Sequence, residues 1–296
     1  MLRAFALLAL AAIALAAAPA QDAQSILHPQ RSSPGDLELG GDLAGLPAGT
    51  TRYIRYDDLL RLRQESYVVA DDSNFAHGTR ISGVALAELA RRFAASPEQA
   101  LIVAICDDAY RANYPRDYIA AHHPILILRM NGQLRDRWPK SEDGGSLGPY
   151  LVSHPFFRPS FKVLSHDDEP QIPYGVVRIE FRNESVVFGA IHPPGNWPAG
   201  SPVALGYIIA RQDCFRCHNM GAEGGTKSGQ SWLKLAEDAR DDGPRFRQTI
   251  RNPSAVTPGA KMPAQPGYNN ATLDALTAYF KAFANRDPHP EKNPRP

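Results

Sequence analysis

Cys214, Cys217 and His218 are spaced to do redox chemistry. In Cys214-Phe215-Arg216-Cys217-His218 two thiols stand three positions apart, and a histidine directly follows the second. Thiols at this spacing, at the end of one helix, can add to the two vinyl groups of a porphyrin. The next imidazole is then held under the iron. With three Cys and nine His in 296 residues, a chance C-x-x-C-H is expected about once in a thousand such chains. A thioredoxin-like pair uses the same thiol spacing, but it belongs near a βαβ pattern, and the surroundings here read as helical. A structural zinc site needs two more ligands, and the chain has no second C-x-x-C and no H-x-x-H. The motif therefore predicts one covalently attached haem c.

A second axial ligand has to come from the other side of that ring. The methionines are Met1, Met130, Met220 and Met262. Met1 belongs to a leader, and Met130 ends the apolar run Ile125–Met130. Met220 is too close to His218 for the chain to carry it around a porphyrin. Met262 lies well downstream in Pro258-Gly259-Ala260-Lys261-Met262-Pro263, a loop able to hold a thioether against iron. The competing reading is a gap-filling core methionine, which suits an isolated Met in a polar, Pro-flanked loop less well. Cys214 and Cys217 are thus the predicted haem attachments, and His218 and Met262 the predicted iron ligands.

The elements that must position these residues fall into two parts. Lys+Arg number 32 and Asp+Glu 31, a net charge of +1, which excludes a strongly basic nucleic-acid binder and an acidic disordered chain. The 26 prolines are many for a helical bundle. Residues 1–20 read as a basic start, an apolar middle and small residues before a cut after Ala20, a secretory signal of an exported, periplasmic protein. A retained membrane anchor is the alternative, although the apolar stretch is shorter than the roughly 20 residues that span a bilayer. No other stretch is long and apolar enough, so no membrane span is expected in the mature chain. Residues 21–49, rich in Pro, Gly, Ser and Asp, read as a tether.

From residue 50 to 191 the pattern is α+β. Leu86, Leu89, Ala90 and Phe93 recur on one helical face. Leu101–Ile105 and Ile125–Met130 read as buried strands, the second ending in the turn signal Asn131-Gly132. Val176–Phe181 and Val186–Phe188 around Asn183-Glu184 predict a hairpin. Residues 192–202 hold four prolines and form a predicted linker. Beyond it, residues 203–286 read as helical, closing with a helix whose Leu273, Leu276, Tyr279, Phe280 and Phe283 share a face and whose N-cap is Asn269 or Asn270. Residues 287–296 read as a disordered tail.

With Cys-Phe-Arg-Cys-His, the segment Arg251-Asn252-Pro253-Ser254-Ala255-Val256-Thr257-Pro258-Gly259-Ala260-Lys261-Met262-Pro263 and the closing aromatic helix, residues 203–286 resemble a monohaem class I cytochrome c domain. The resemblance implies an all-α fold around haem, His218 and Met262 as axial ligands, and one-electron transfer. The order Gly83-Val84-Ala85-Leu86, Cys106-Asp107-Asp108-Ala109-Tyr110, Ile125-Leu126-Ile127-Leu128, Asn131-Gly132-Gln133-Leu134 and Gly148-Pro149-Tyr150-Leu151-Val152 resembles part of the sulfite oxidase-type molybdopterin-binding domain. That resemblance implies an α+β fold and a molybdenum site. The family's metal-binding cysteine has no counterpart, since no cysteine occurs between residues 21 and 105. Cys106 reads as a small buried hydrophobe, so molybdopterin is not expected.

The remaining candidates carry less. His77, His122, His123, His154, His166 and His192 read as surface or internally bonded histidines. The pairs Asp71-Asp72, Asp107-Asp108 and Asp167-Asp168 read as solvated loop charges. The expectation is a two-domain exported electron carrier, not itself an enzyme, that meets a redox partner protein such as a dehydrogenase or a respiratory complex. The alternative is a molybdopterin-dependent oxidoreductase that passes electrons from a small substrate to its own haem.

Overall fold

The structure is a computed structural model that describes residues 25–75, 78–140 and 144–284. The expected signal 1–20, the tail 287–296 and His77 lie outside the described residues. The fold is mixed α/β. A five-stranded sheet has the order β2 (Arg52–Ile54), β1 (Leu37–Gly41), β11 (Val176–Asn183), β5 (Ala100–Cys106), β6 (Arg111–Tyr114). β1 runs parallel to β11, and the other neighbours are antiparallel. A four-stranded sheet has the order β3 (Glu65–Val69), β4 (Thr79–Ala85), β7 (Ile125–Met130), β8 (Val152–Ser153). β9 (Lys162–Val163) and β10 (His166–Asp167) pair separately. Helices α1 (Tyr56–Leu60), α2 (Leu86–Phe93) and α3 (Arg116–His122) lie between the strands, and α4 (Glu184–Gly189) follows β11. From Pro202 on, the named elements are helical: α5 (Pro202–Gln212), α6 (Trp232–Asp241), α7 (Gly243–Arg251), α8 (Pro253–Val256) and α9 (Asn270–Ala284), with a 3-10 turn at Cys214–Arg216.

Two expectations are corrected. Residues 25–49 are part of the fold and not a tether, because Leu37 and Leu39 are fully buried on β1, inside the five-stranded sheet. The buried Asp36 carboxylate, just before them, takes hydrogen bonds from Ser32 N, Ser32 Oγ and Ser33 N. The apolar alternation is only three residues long, and the surrounding Pro and Gly hide it. Nor do Val186–Phe188 return as a second hairpin strand. The Asn183 side chain accepts from Ser185 N and Val186 N, so it ends β11 by capping α4.

β5 is buried on both faces. Ile102, Ala104 and Cys106 belong to the core packed by α2, whereas Leu101 and Val103 join a second core with Val187, Phe188, Ile209, Phe215, Trp232 and Phe280. The helical part therefore lies on the sheet and shares its core. α5 and α9 approach closely at Gly206, where a Cβ would meet the Ala275 carbonyl oxygen at 2.1 Å.

Leu39→Ala should lower the unfolding free energy by about 2–5 kcal/mol in urea titrations, as for a core leucine. A tether residue would change it by no more than about 0.5 kcal/mol.

Candidate functional site

The C-x-x-C-H segment follows α5 directly. Ser201 Oγ caps that helix by accepting from Ala204 N at 3.3 Å, and Pro202 occupies its first turn. After Asp213 the chain tightens into the 3-10 turn, where Cys217 N and His218 N both donate to Cys214 O at 3.2 and 3.0 Å. Phe215 points into the core, fully buried, with its ring centroid 5.4 Å from that of Trp232. That anchor leaves Cys214, Cys217 and His218 on the wall of a cavity of about 440 Å³. Met262 lines the same cavity, with Phe246 and Ile250 of α7 and Phe280 of α9. The structure thus brings the four predicted site residues to one cavity, of a size that takes a cofactor.

The His218 ring is held at one nitrogen. Its Nδ1 lies 2.9 Å from the Gln230 carbonyl oxygen and 3.0 Å from Ser228 Oγ. A carbonyl can only accept, so Nδ1 carries the proton and Nε2 keeps its lone pair. Burial pushes His218 below the usual histidine range, only partly offset by the Gln230 carbonyl, which keeps the imidazole neutral at pH 7. Cys214 and Cys217 are free thiols, and burial pushes both up. The donor set, two thiols, a neutral imidazole and a thioether, fits the attachment and axial ligation of haem c.

Several cavity residues gave no signal in the sequence. Tyr110 reaches the cavity from the β5–β6 turn. Arg216 donates from Nε to Gln212 O at 2.7 Å and from Nη2 to Glu169 Oε2 at 3.0 Å. Burial alone would pull its guanidinium value down, but Tyr110, Asp213 and Glu169 together hold it up. Gln230 acts through its backbone, so no residue type could have marked it.

The other candidates are structural. His122 Nε2 donates to Asp168 Oδ2 at 2.9 Å, and His154 Nε2 lies 2.7 Å from the Tyr118 hydroxyl. His166 bonds Tyr268 through Nδ1 at 2.7 Å and Gln212 through Nε2. His123 and His192 are exposed. The acid pairs are not all solvated. Asp72 takes Ser153 Oγ and Asn74 N, and Asp168 takes His122, Ser160 and Gln212, so both are buried by partners distant in sequence. Cys106 is buried at the end of β5, and burial, then the Asp108 and Asp107 charges, push its thiol up. Among the described residues no helix is long and apolar enough to cross a membrane.

No family profile and no curated protein matches the chain. Among solved structures it is similar to the sulfane dehydrogenase SoxCD from Paracoccus pantotrophus, with 16% identity and a TM-score of 0.34, over 53% of this chain and 40% of that one. The chain thus spans less than half the length of that protein.

Burial, with the neighbouring His122 as a smaller cause, pushes the His154 imidazole down to about 3. An unfolded histidine titrates near about 6.5. Between these values the unfolded chain binds a proton that the folded one does not. This contribution to stability is therefore full above about pH 6.5 and falls as pH drops toward 3, by up to ~1.4 kcal/mol per pH unit. His154→Gln should flatten the acid limb of stability measured by urea unfolding. An unchanged slope would assign the proton uptake to other groups.

Proposed function

We propose that the chain is an exported c-type cytochrome that carries one electron on a single haem joined to Cys214 and Cys217, with His218 and Met262 as axial ligands. One observation carries this reading: the two thiols, the neutral imidazole and the thioether line the same cavity, although Met262 comes from a loop far down the chain. When bound, the haem supplies a reversible one-electron couple at its iron. The chain's own side chains do the rest. Phe215, locked against Trp232, fixes the turn that presents the thiols. The Gln230 carbonyl orients the His218 ring and keeps Nε2 free to bind. Phe246, Ile250 and Phe280 give the cavity an apolar wall against which a porphyrin face would pack.

The sheet part serves docking to a redox partner protein, a dehydrogenase or a respiratory complex, in this reading. Against a molybdenum site in this part stands Cys106, the one cysteine outside the haem motif. Its thiol is buried in the core with its value pushed up, conditions that make a poor metal-binding thiolate.

Three measurements test the proposal. Acid–acetone extraction should leave the haem on the denatured chain, since two thioether bonds would hold it. Freely extracted haem would refute attachment at Cys214 and Cys217. Met262→Ala should abolish the far-red methionine–ferric haem band and lower the reduction potential, because a thioether favours ferrous iron; a retained band would assign the sixth ligand elsewhere. Metal analysis should find about one iron per chain and no stoichiometric molybdenum. Molybdenum near one atom per chain, lost with turnover in Cys106→Ser, would favour the oxidoreductase reading instead.

A further inference from the structure

The acceptors of the His218 ring proton sit on a loop that the sheet part holds. After His218 the chain runs outward and returns to α6, and it offers Ser228 Oγ and Gln230 O to Nδ1 on the way. The loop is fastened to the motif from inside. Gly225 N donates to Phe215 O at 3.0 Å and Ser228 N to Cys217 O at 3.1 Å. Gly225 passes so close that a Cβ there would meet the Arg216 carbonyl oxygen at 1.8 Å. From outside, the same loop is fastened to strands β6 and β11 of the five-stranded sheet and to the β5–β6 turn. Thr226 N donates to Ala109 O at 3.1 Å, and Lys227 pairs with Asp108 at 2.5 Å. Arg111 of β6 donates to Ala222 O at 3.0 Å, and Arg182 of β11 pairs with Glu223 at 2.5 Å. Thr226 and Lys227 immediately precede Ser228. The turn that receives them is itself fixed in shape, with Ala109 at φ 66° and Asp108 Oδ1 accepting from Tyr110 N.

We propose that this docking makes the sheet part a second layer of the iron site, with Asp108, Arg111 and Arg182 as positioning residues for the axial imidazole. The inference rests on His218 being the haem ligand. A donor ring whose N–H is held on a carbonyl is more basic and stabilises ferric iron. When the docking contacts weaken, the Gln230 carbonyl moves freely, the ring becomes a poorer donor and the reduction potential rises. Each outer contact is partly exposed and alone contributes little, so the effect accumulates over the set.

The test uses the full haem-loaded chain. Asp108→Asn keeps the acceptor for Tyr110 N and removes only the charge that faces Lys227. It is combined with Arg111→Gln on the sheet side, and separately Glu223→Gln is combined with Lys227→Met on the loop side, which leaves Arg182 paired with Glu180. Both sets should shift the ferrous/ferric ratio toward ferrous by about threefold or more against a mediator of fixed potential, less than direct loss of a second-shell partner. The far-red methionine band should stay unchanged, and exchange of the His218 ring N–H should become faster. Glu88→Gln, on the exposed side of α2, should leave the ferrous/ferric ratio unchanged. If all haem-loaded variants keep the wild-type ratio and ring exchange while only the melting temperature falls, the sheet part merely stabilises and the proposal fails. A wild-type chain without thioether-linked haem overturns both this proposal and the cytochrome reading.

Discussion

β5 offers water no polar face, and the architecture follows from covering both of its sides. Ile102, Ala104 and Cys106 turn toward α2, in the core that also takes Leu37 and Leu39, while Leu101 and Val103 turn toward the helices that carry the C-x-x-C-H motif. An antiparallel strand at a solvated surface would alternate apolar and polar residues. This one cannot, so uncovering either face would return several large side chains to water at roughly 1.5–3 kcal/mol each. The helical part is thereby tied to the sheet by the same force that folds each of them. The β5–β6 turn lands beside the cavity as a consequence of that packing, which is how Tyr110 comes to line it.

Within the helical part, positioning depends on what the motif does not use for chemistry. Phe215 is the residue of the five that points away from the cavity, and its packing against Trp232 and Phe188 aims its neighbours inward. Trp232 Nε1 donates to the Tyr279 hydroxyl at 3.0 Å, which in turn donates to Ile191 O at 2.6 Å. The aromatic core is thus oriented by directional bonds as well as by contact. Another part of the wall comes from the loop 257–268, whose closing residue Tyr268 is buried against His166. The thioether and the thiols thus reach one cavity from separately anchored segments.

Signals confined to a few adjacent residues were legible in the sequence. Helix α2 shows its face through Leu86, Leu89, Ala90 and Phe93. Asn269 caps α9 by accepting from Thr272 N at 2.9 Å, and the four residues chosen for their chemistry line one cavity. Features that depend on the partner across space were not legible. Leu37 and Leu39 become a sheet strand only because Val176–Asn183 lies beside them. Asp72 and Asp168 read as solvated until Ser153 and His122 are brought to them. The acceptor of the His218 proton is a peptide carbonyl that any residue at position 230 would supply.

The buried polar residues between the two parts supply what apolar contact cannot. Hydrophobic burial is not directional, so the shared core by itself tolerates sliding of the helices over the sheet. Across the contact runs a chain of bonds: His122 to Asp168, Gln212 Nε2 to the other Asp168 oxygen, and His166 from Gln212 to Tyr268. Tyr268 continues it to Asp213, next to Cys214, and the Asp213 carboxylate also accepts from Gln265 Nε2. A displaced docking would leave these groups buried and unpaired, at about 1–3 kcal/mol for each neutral one and more for the Asp168 carboxylate. The penalty rises with every member that loses its partner, so one register of helices on sheet is strongly favoured. That register fixes where Asp213 and Glu169 stand relative to the Arg216 guanidinium, and so the local charge beside both thiols. The electrostatics of the cavity are therefore set by hydrogen bonds that begin in the sheet part, not by the helices alone.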